Sequence, residues 1–190
     1  MRFVLYLLLM LAVALSVGFG LSYYALTDGR LFGAVQVGPW VAWPDVGAAA
    51  PNPYTRSLLA REARLQLGQA EGLRFVASVD NDDRALTRAC TYRVRGKTPL
   101  ATAWTLVALD AEGRNVAAPD GFQAMRSTDL ARPGDGAIEL AVGTRLTEGN
   151  WLELTGEGPF SLVLTLYDTA AFSGFSSDSA MPAIIRGRCA

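Results

Sequence analysis

Gly149-Asn150-Trp151-Leu152-Glu153-Leu154-Thr155, then Gly156-Glu157-Gly158, then Pro159-Phe160-Ser161-Leu162-Val163-Leu164-Thr165-Leu166-Tyr167-Asp168-Thr169 is the stretch from which the fold is read. In its second half Phe160, Leu162, Leu164 and Leu166 fall on one side of an extended chain. Ser161, Val163, Thr165 and Tyr167 fall on the other. Side chains alternate across a strand, so this is a strand with one wholly apolar face and one mixed face. Leu152 and Leu154 against Trp151 and Glu153 repeat the pattern in the first half. Thr155 to Pro159 supplies turn residues. The stretch reads as a β-hairpin whose longer arm lies mid-sheet with one face on a core.

The same alternation recurs on both sides of it. Leu73, Phe75, Ala77 and Val79 alternate with Arg74, Val76 and Ser78; Cys90, Tyr92 and Val94 alternate with Thr91, Arg93 and Arg95. Trp104, Leu106 and Ala108 mark a further strand, as do 122–127, 138–142 and a last one around Met181 to Arg186. Asp80-Asn81-Asp82-Asp83 reads as an Asx-type turn; it lacks the glycine and the flanking helices of a calcium loop. Gly96-Lys97-Thr98 is not a phosphate loop, because Thr91 stands where the first glycine belongs and Pro99 forbids the helix that must follow. No internal repeat is visible. About eight closely spaced strands with Gly-, Asp- and Pro-rich turns predict a mainly β protein, an antiparallel jelly-roll-like β-sandwich with one α-helix at its start.

That helix begins at Asn52-Pro53, an N-cap followed by proline at the first helical position, and runs to Leu67 before Gly68. Tyr54, Leu58 and Leu65 share its apolar face, with Leu59 and Ala63 beside it; Arg56, Arg61 and Arg64 spread around the rest, either as a solvated surface or as a patch facing anionic headgroups or an acidic ligand. Upstream, the run from Phe3 to Leu26 carries no charge. As a helix it spans roughly 36 Å, enough to cross a bilayer core of about 30 Å. The expected division is a transmembrane anchor over 3–26, a connector with a short strand over 27–50, and the sandwich over 51–190. The competing reading of the first segment is a signal peptide cleaved after Ala12-Val13-Ala14, which would leave a leader of only ~14 residues. Arg2 and the α-amino group favour a cytoplasmic N-terminus, which puts the domain in the periplasm of a bacterial inner-membrane protein. Trp40 and Trp43 in the connector are read as packing on the domain rather than lying on the membrane surface.

Composition removes several chemistries. The net charge of −1 gives no field that would draw the chain onto nucleic acid. The absence of histidine removes Ser-His-Asp and Cys-His catalysis and histidine metal sites. The two cysteines, Cys90 and Cys189, are not a CxxC pair. Both lie on the same side of the anchor, and a periplasmic domain is in an oxidising compartment, so a bridge between them is expected; two reduced buried thiols are the alternative.

Asn52-Pro53-Tyr54-Thr55-Arg56, Glu71-Gly72 leading to Phe75 and Asp80, Cys90-Thr91-Tyr92, Ala103-Trp104-Thr105-Leu106, Gly149-Asn150-Trp151-Leu152, Phe160 to Tyr167, and Met181-Pro182-Ala183-Ile184-Ile185-Arg186 occur in an order that resembles the bacterial domain-of-unknown-function 1214 family. The resemblance spans about the last three quarters of the chain. It implies a jelly-roll-like sandwich and brings no reaction, cofactor or catalytic residue. Longer relatives carry a preceding domain of family 1254, and this chain resembles the short subgroup with an N-terminal membrane segment.

No catalytic, cofactor or metal site is assigned. Asp80 or Asp82 with another acid would suit general acid/base work, and Lys97 with a serine a dyad, but no spacing fixes either. The expected function is a non-catalytic, anchored module that binds an envelope partner protein or glycan. The alternatives are a carboxylate-based glycan hydrolase and an architectural envelope protein. The candidate ligand or partner surface comprises Arg56, Arg64, Trp104, Asn150, Trp151, Tyr167 and Arg186.

Overall fold

The computed structural model describes residues 2–28, 33–62, 67–68, 71–131, 137–169 and 181–189. Among them are helices α1 (Arg2–Asp28) and α2 (Pro53–Glu62), and a 3-10 turn at Pro44–Gly47. The strands are β1 (Val35–Val37), β2 (Trp40–Ala42), β3 (Gly72–Ala77), β4 (Cys90–Gly96), β5 (Ala101–Leu109), β6 (Met125–Arg126), β7 (Ile138–Gly143), β8 (Trp151–Glu153), β9 (Ser161–Thr169) and β10 (Ala183–Cys189). They form a six-stranded sheet in the order β1-β2-β3-β9-β5-β6 and a four-stranded sheet in the order β10-β4-β7-β8. All pairings are antiparallel except β7 with β8, which run parallel over three residues, Ala141↔Trp151 to Gly143↔Glu153.

The expected mainly β fold is present, with one core between two sheets. Phe75, Leu106, Leu162, Leu164 and Leu166 of the larger sheet meet Tyr92, Leu140, Val142 and Ile184 of the smaller one in a single buried cluster. The apolar face read in β9 is this inner face. β9 is central, paired with β3 on one side and β5 on the other.

The hairpin expectation is overturned. β8 and β9 do not pair; they belong to opposite sheets. Alternation identifies a strand with one buried face, but strands on either side of a sandwich carry the same alternation. The connector between them turns the corner from one sheet to the other. Gly156 and Gly158 take φ of +71° and +99°, a region that a Cβ disfavours. Arg88 fastens the corner, with its guanidinium donating to the Thr155 carbonyl at 3.0 Å and its backbone N–H to the Gly158 carbonyl at 2.9 Å.

The connector after α1 also joins the larger sheet. Gly38, at φ +57°, and Pro39 turn β1 back on β2, and β2 pairs with β3. Trp40 is fully buried, and its indole N–H donates to the Pro182 carbonyl at 2.7 Å. That is the packing read from the sequence. α1 is long and apolar enough over Arg2–Tyr24 to cross a membrane, and none of that span is buried against the domain. A signal sequence satisfies the same length and composition.

A turn is used twice, although the sequence shows no repeat. Asp80 accepts from the backbone N–H groups of Asp82 and Arg84 and from Arg84 Nε; Asp110 accepts from Glu112, Arg114 and Arg114 Nε in the same way. Asp83 and Gly113 fill the positive-φ position, at +58° and +79°. An aspartate able to hold its own turn and an arginine four residues on recreate the loop wherever they occur.

Cys90 and Cys189 are joined as expected, across 99 residues of sequence, and pair in register where β10 ends on β4. A loop of that size constrains the unfolded chain by about 4–5 kcal/mol in the chain-entropy model. Urea unfolding of the full chain with and without reductant is expected to differ by roughly that amount. Equal stability in both would remove the bridge's structural role.

Candidate functional site

The outer face of the larger sheet is organised in rows. Register places Val41, Val76, Val163 and Val107 side by side across β2, β3, β9 and β5. The next row along the strands is Arg74, Thr165 and Thr105. This is the mixed face of β9 noted in the sequence. It is not left to solvent, since Val163 is only 3% exposed.

α2 and the 3-10 turn cover part of this face. Asn52 caps α2 as read, accepting from the Thr55 backbone N–H at 2.9 Å. Asp45 in turn accepts from the Asn52 backbone at 2.6 Å and from its side-chain amide at 2.7 Å, which ties the 3-10 turn to the start of the helix. Leu59 lines the space below, as its place beside the apolar face implies, but Tyr54 is exposed and Thr55 is buried instead. Leu65 and Arg64 lie outside the described residues, and the side chain of Leu58 is likewise not described.

Between cover and sheet lies a groove of about 610 Å³. Val76, Val107, Val163 and Leu109 rise from the sheet, and Trp43, Val46, Leu59 and Leu67 come from the cover. Arg74, Thr105, Thr165 and Tyr167 contribute polar groups, and Asp110 stands at one side. Size and lining suit a small-molecule site. Arg114, beside Asp110, is its ion-pair partner at 2.8 Å. Exclusion from water pushes the Asp110 carboxyl up, and the hydrogen bonds from Arg114 and Glu112 pull it below the ordinary value by more.

Of the residues singled out from sequence, Tyr167 lines this groove and Arg56 is exposed on α2. Trp104 is in the inter-sheet core. Asn150 and Trp151 line a separate hollow of about 370 Å³ with Phe122 and Leu146. Asn150 is a turn anchor there: its amide donates to the carbonyls of Ala131 at 2.7 Å and Glu139 at 2.9 Å, and it accepts from the Ala131 N–H at 2.9 Å. The Trp151 indole donates to the Gly143 carbonyl at 3.2 Å. Arg74, Val107 and Trp43 were passed over as groove residues. The signal was Val163 beside Thr165 on the second face of β9, where a solvated face would be polar throughout.

Arg186 belongs to a clamp. Its Nε donates to Asp80 at 2.8 Å, its terminal nitrogen to the Ala85 carbonyl, and its guanidinium lies 5.5 Å from the centre of the Tyr92 ring. Asp80 is 1% exposed. Burial raises its carboxyl, but the backbone donors of Arg84 and Asp82, Arg186 and the charge of Arg84 outweigh this and hold it below its ordinary value of 3.8. Among the described residues no group of three or more Asp, Glu, Cys or His side chains could hold a metal ion.

A sequence model of the family of proteins of unknown function DUF1214 matches residues 71–171. The chain belongs to this family. The match runs from just before β3 to just past β9, and so covers most of both sheets and the floor of the groove; β1, β2, α2 and β10 lie outside it. The crystal structure of the VPA0106 protein from Vibrio parahaemolyticus is similar at 18% identity with a TM-score of 0.57, over 71% of this chain and 35% of that one. This DUF1214 chain thus spans about a third of the length of that relative. An uncharacterised protein from Burkholderia cenocepacia is similar at 17% identity and a TM-score of 0.45, over 63% and 30%. No curated protein matches.

The native Asp80 carboxyl is lowered, so its contribution to stability is present at neutral pH and is lost as pH falls from about 4 through the native value. Asp80→Asn leaves Arg186 buried against half an acceptor and is expected to cost about 3–5 kcal/mol at pH 7. Urea unfolding between pH 7 and pH 3 is expected to give a flatter profile for the variant than for the wild type. Parallel profiles would show that another carboxylate controls acid unfolding.

Proposed function

We propose that this protein is a non-enzymatic binding module, anchored by α1 in the bacterial inner membrane with its sandwich in the periplasm, and that the groove beneath α2 receives its ligand. The observation that carries this reading is the groove's construction. Three adjacent strands, β3, β9 and β5, each present a valine to a space of about 610 Å³ that α2 and the 3-10 turn only partly roof. The adjacent carboxylate, Asp110, is engaged by Arg114 and held ionised, which suits a structural role better than proton transfer. The apolar floor favours an apolar ligand, or an apolar segment of an envelope partner, over a bare glycan. The Cys90–Cys189 bridge and Arg2 at the start of α1 support the periplasmic placement.

A second reading, a stacking surface for an envelope glycan or partner protein, rests on the outer face of the smaller sheet. There Ile185, Arg93, Ala141 and Trp151 stand in one cross-strand row. Gly143 leaves that face flat beside Thr91, where a Cβ would come within 3.1 Å of the Thr91 backbone.

Val107→Trp fills the groove without entering the inter-sheet core. In native mass spectrometry of the full chain released from phosphatidylcholine nanodiscs, the wild type is expected to carry a bound small molecule and the variant to lose it, with the unfolding midpoint unchanged. A bare wild-type chain, or the same adduct in both, counts against the groove. For topology, a reporter active only in the periplasm and fused after Ala190 is expected to be active; an inactive fusion reverses the orientation.

A further inference from the structure

We infer that the groove takes a single-chain lipid anion, a long acyl chain ending in a carboxylate or phosphate; this rests on the groove being the ligand site. The argument is the separation of its floor into two kinds of row. The valines Val76, Val163 and Val107 lie abreast, and Arg74, Thr165 and Thr105 lie abreast in the next row. Strands are about 4.8 Å apart and side chains on one face repeat about every 6.8 Å along a strand. The floor is therefore an apolar band about 10 Å across, bordered within one side-chain spacing by a row that has a cation at one end and two hydroxyls in line beside it.

An uncharged hydrocarbon would leave the polar row buried against it, with an unmet desolvation cost. A bare anion would leave the valine row unused. A molecule with both parts matches both rows in one orientation. Arg74 has a contact of its own in the fold. A guanidinium has five N–H donors on two edges, so it can serve a head group as well as a protein partner.

A further observation points the same way. α1 comes into contact with α2, so the helix that roofs the groove adjoins the segment that meets the bilayer. A ligand drawn from the membrane would thus have a short path. Each methylene moved into such a site contributes affinity, so chain length matters as well as charge.

The test uses the full chain in phosphatidylcholine nanodiscs doped with one of three diazirine-bearing probes: palmitate, hexadecanol or a palmitoyl lysophosphatidate. After irradiation, labelled peptides are mapped by mass spectrometry. At least one of the two anions is expected to label β5 and β9 more than hexadecanol does, and the stronger identifies the head group. Arg74→Gln is expected to lower anion labelling there by about tenfold or more while leaving hexadecanol labelling in place, and Arg74→Lys to recover part of it. Retained hexadecanol labelling shows that the variant is folded. If Arg74→Gln changes anion and alcohol alike, the lipid-anion assignment fails while the groove stands. If labelling is confined to α1, or persists in β5 and β9 when Val107→Trp fills the space, the groove itself is not the ligand site.

Discussion

β9 has two faces to cover, and the molecule is arranged around that need. A strand at the centre of a sheet exposes side chains above and below, and each apolar face must be removed from water. The inner face, Leu162, Leu164 and Leu166, is covered by the second sheet. The outer face carries Val163 among valines of its neighbours, and its cover is a helix of ten residues and a short turn. Among the described residues, the groove is the space between this cover and the sheet.

The smaller sheet depends on the opposite kind of constraint, several fastenings on one strand. β10 pairs with β4, carries Arg186 to the buried Asp80, and ends at the disulfide. Ile184 also exchanges backbone and side-chain bonds with Asn81, at 3.0 and 2.6 Å. The Asp80 turn therefore both reverses the chain after β3 and grips the final strand. Its carboxylate is nearly inaccessible to solvent, so its four hydrogen bonds are what allow a charge to stay there.

The strands were legible because alternation is local, and the pairing was not because it is global. β9, β4 and β5 could be read from Leu164, Tyr92 and Leu106 and their neighbours. That Trp151 stands beside Ala141 rather than opposite β9 could not, since nothing near Gly156 and Gly158 says whether the chain doubles back or crosses. The cap at Asn52 was readable from two residues, yet the covering face of α2 was not, because Thr55 rather than Tyr54 turns inward. The groove was half visible: Tyr167 stood among the candidate surface residues, while Val163 and Thr165 beside it in the same strand were read only as a mixed face. Arg74 and Thr105 become neighbours of Thr165 only through register, which the alternation of any one strand does not contain.

The order in which the strands pair also bears on how the chain reaches this state. β3 is made early in synthesis, but the neighbour it needs, β9, is separated from it by most of the domain, and β4 waits still longer for β10. Contacts of such sequence separation form slowly, because chain closure must precede any gain from pairing. Until β9 is made β3 presents an unpaired edge, and β4 presents one until residues near 189 arrive, each of the kind that joins other chains. With α1 as the anchor proposed above, the domain would pass this vulnerable interval held at the membrane surface, where its local concentration would be fixed by how many neighbours share that surface.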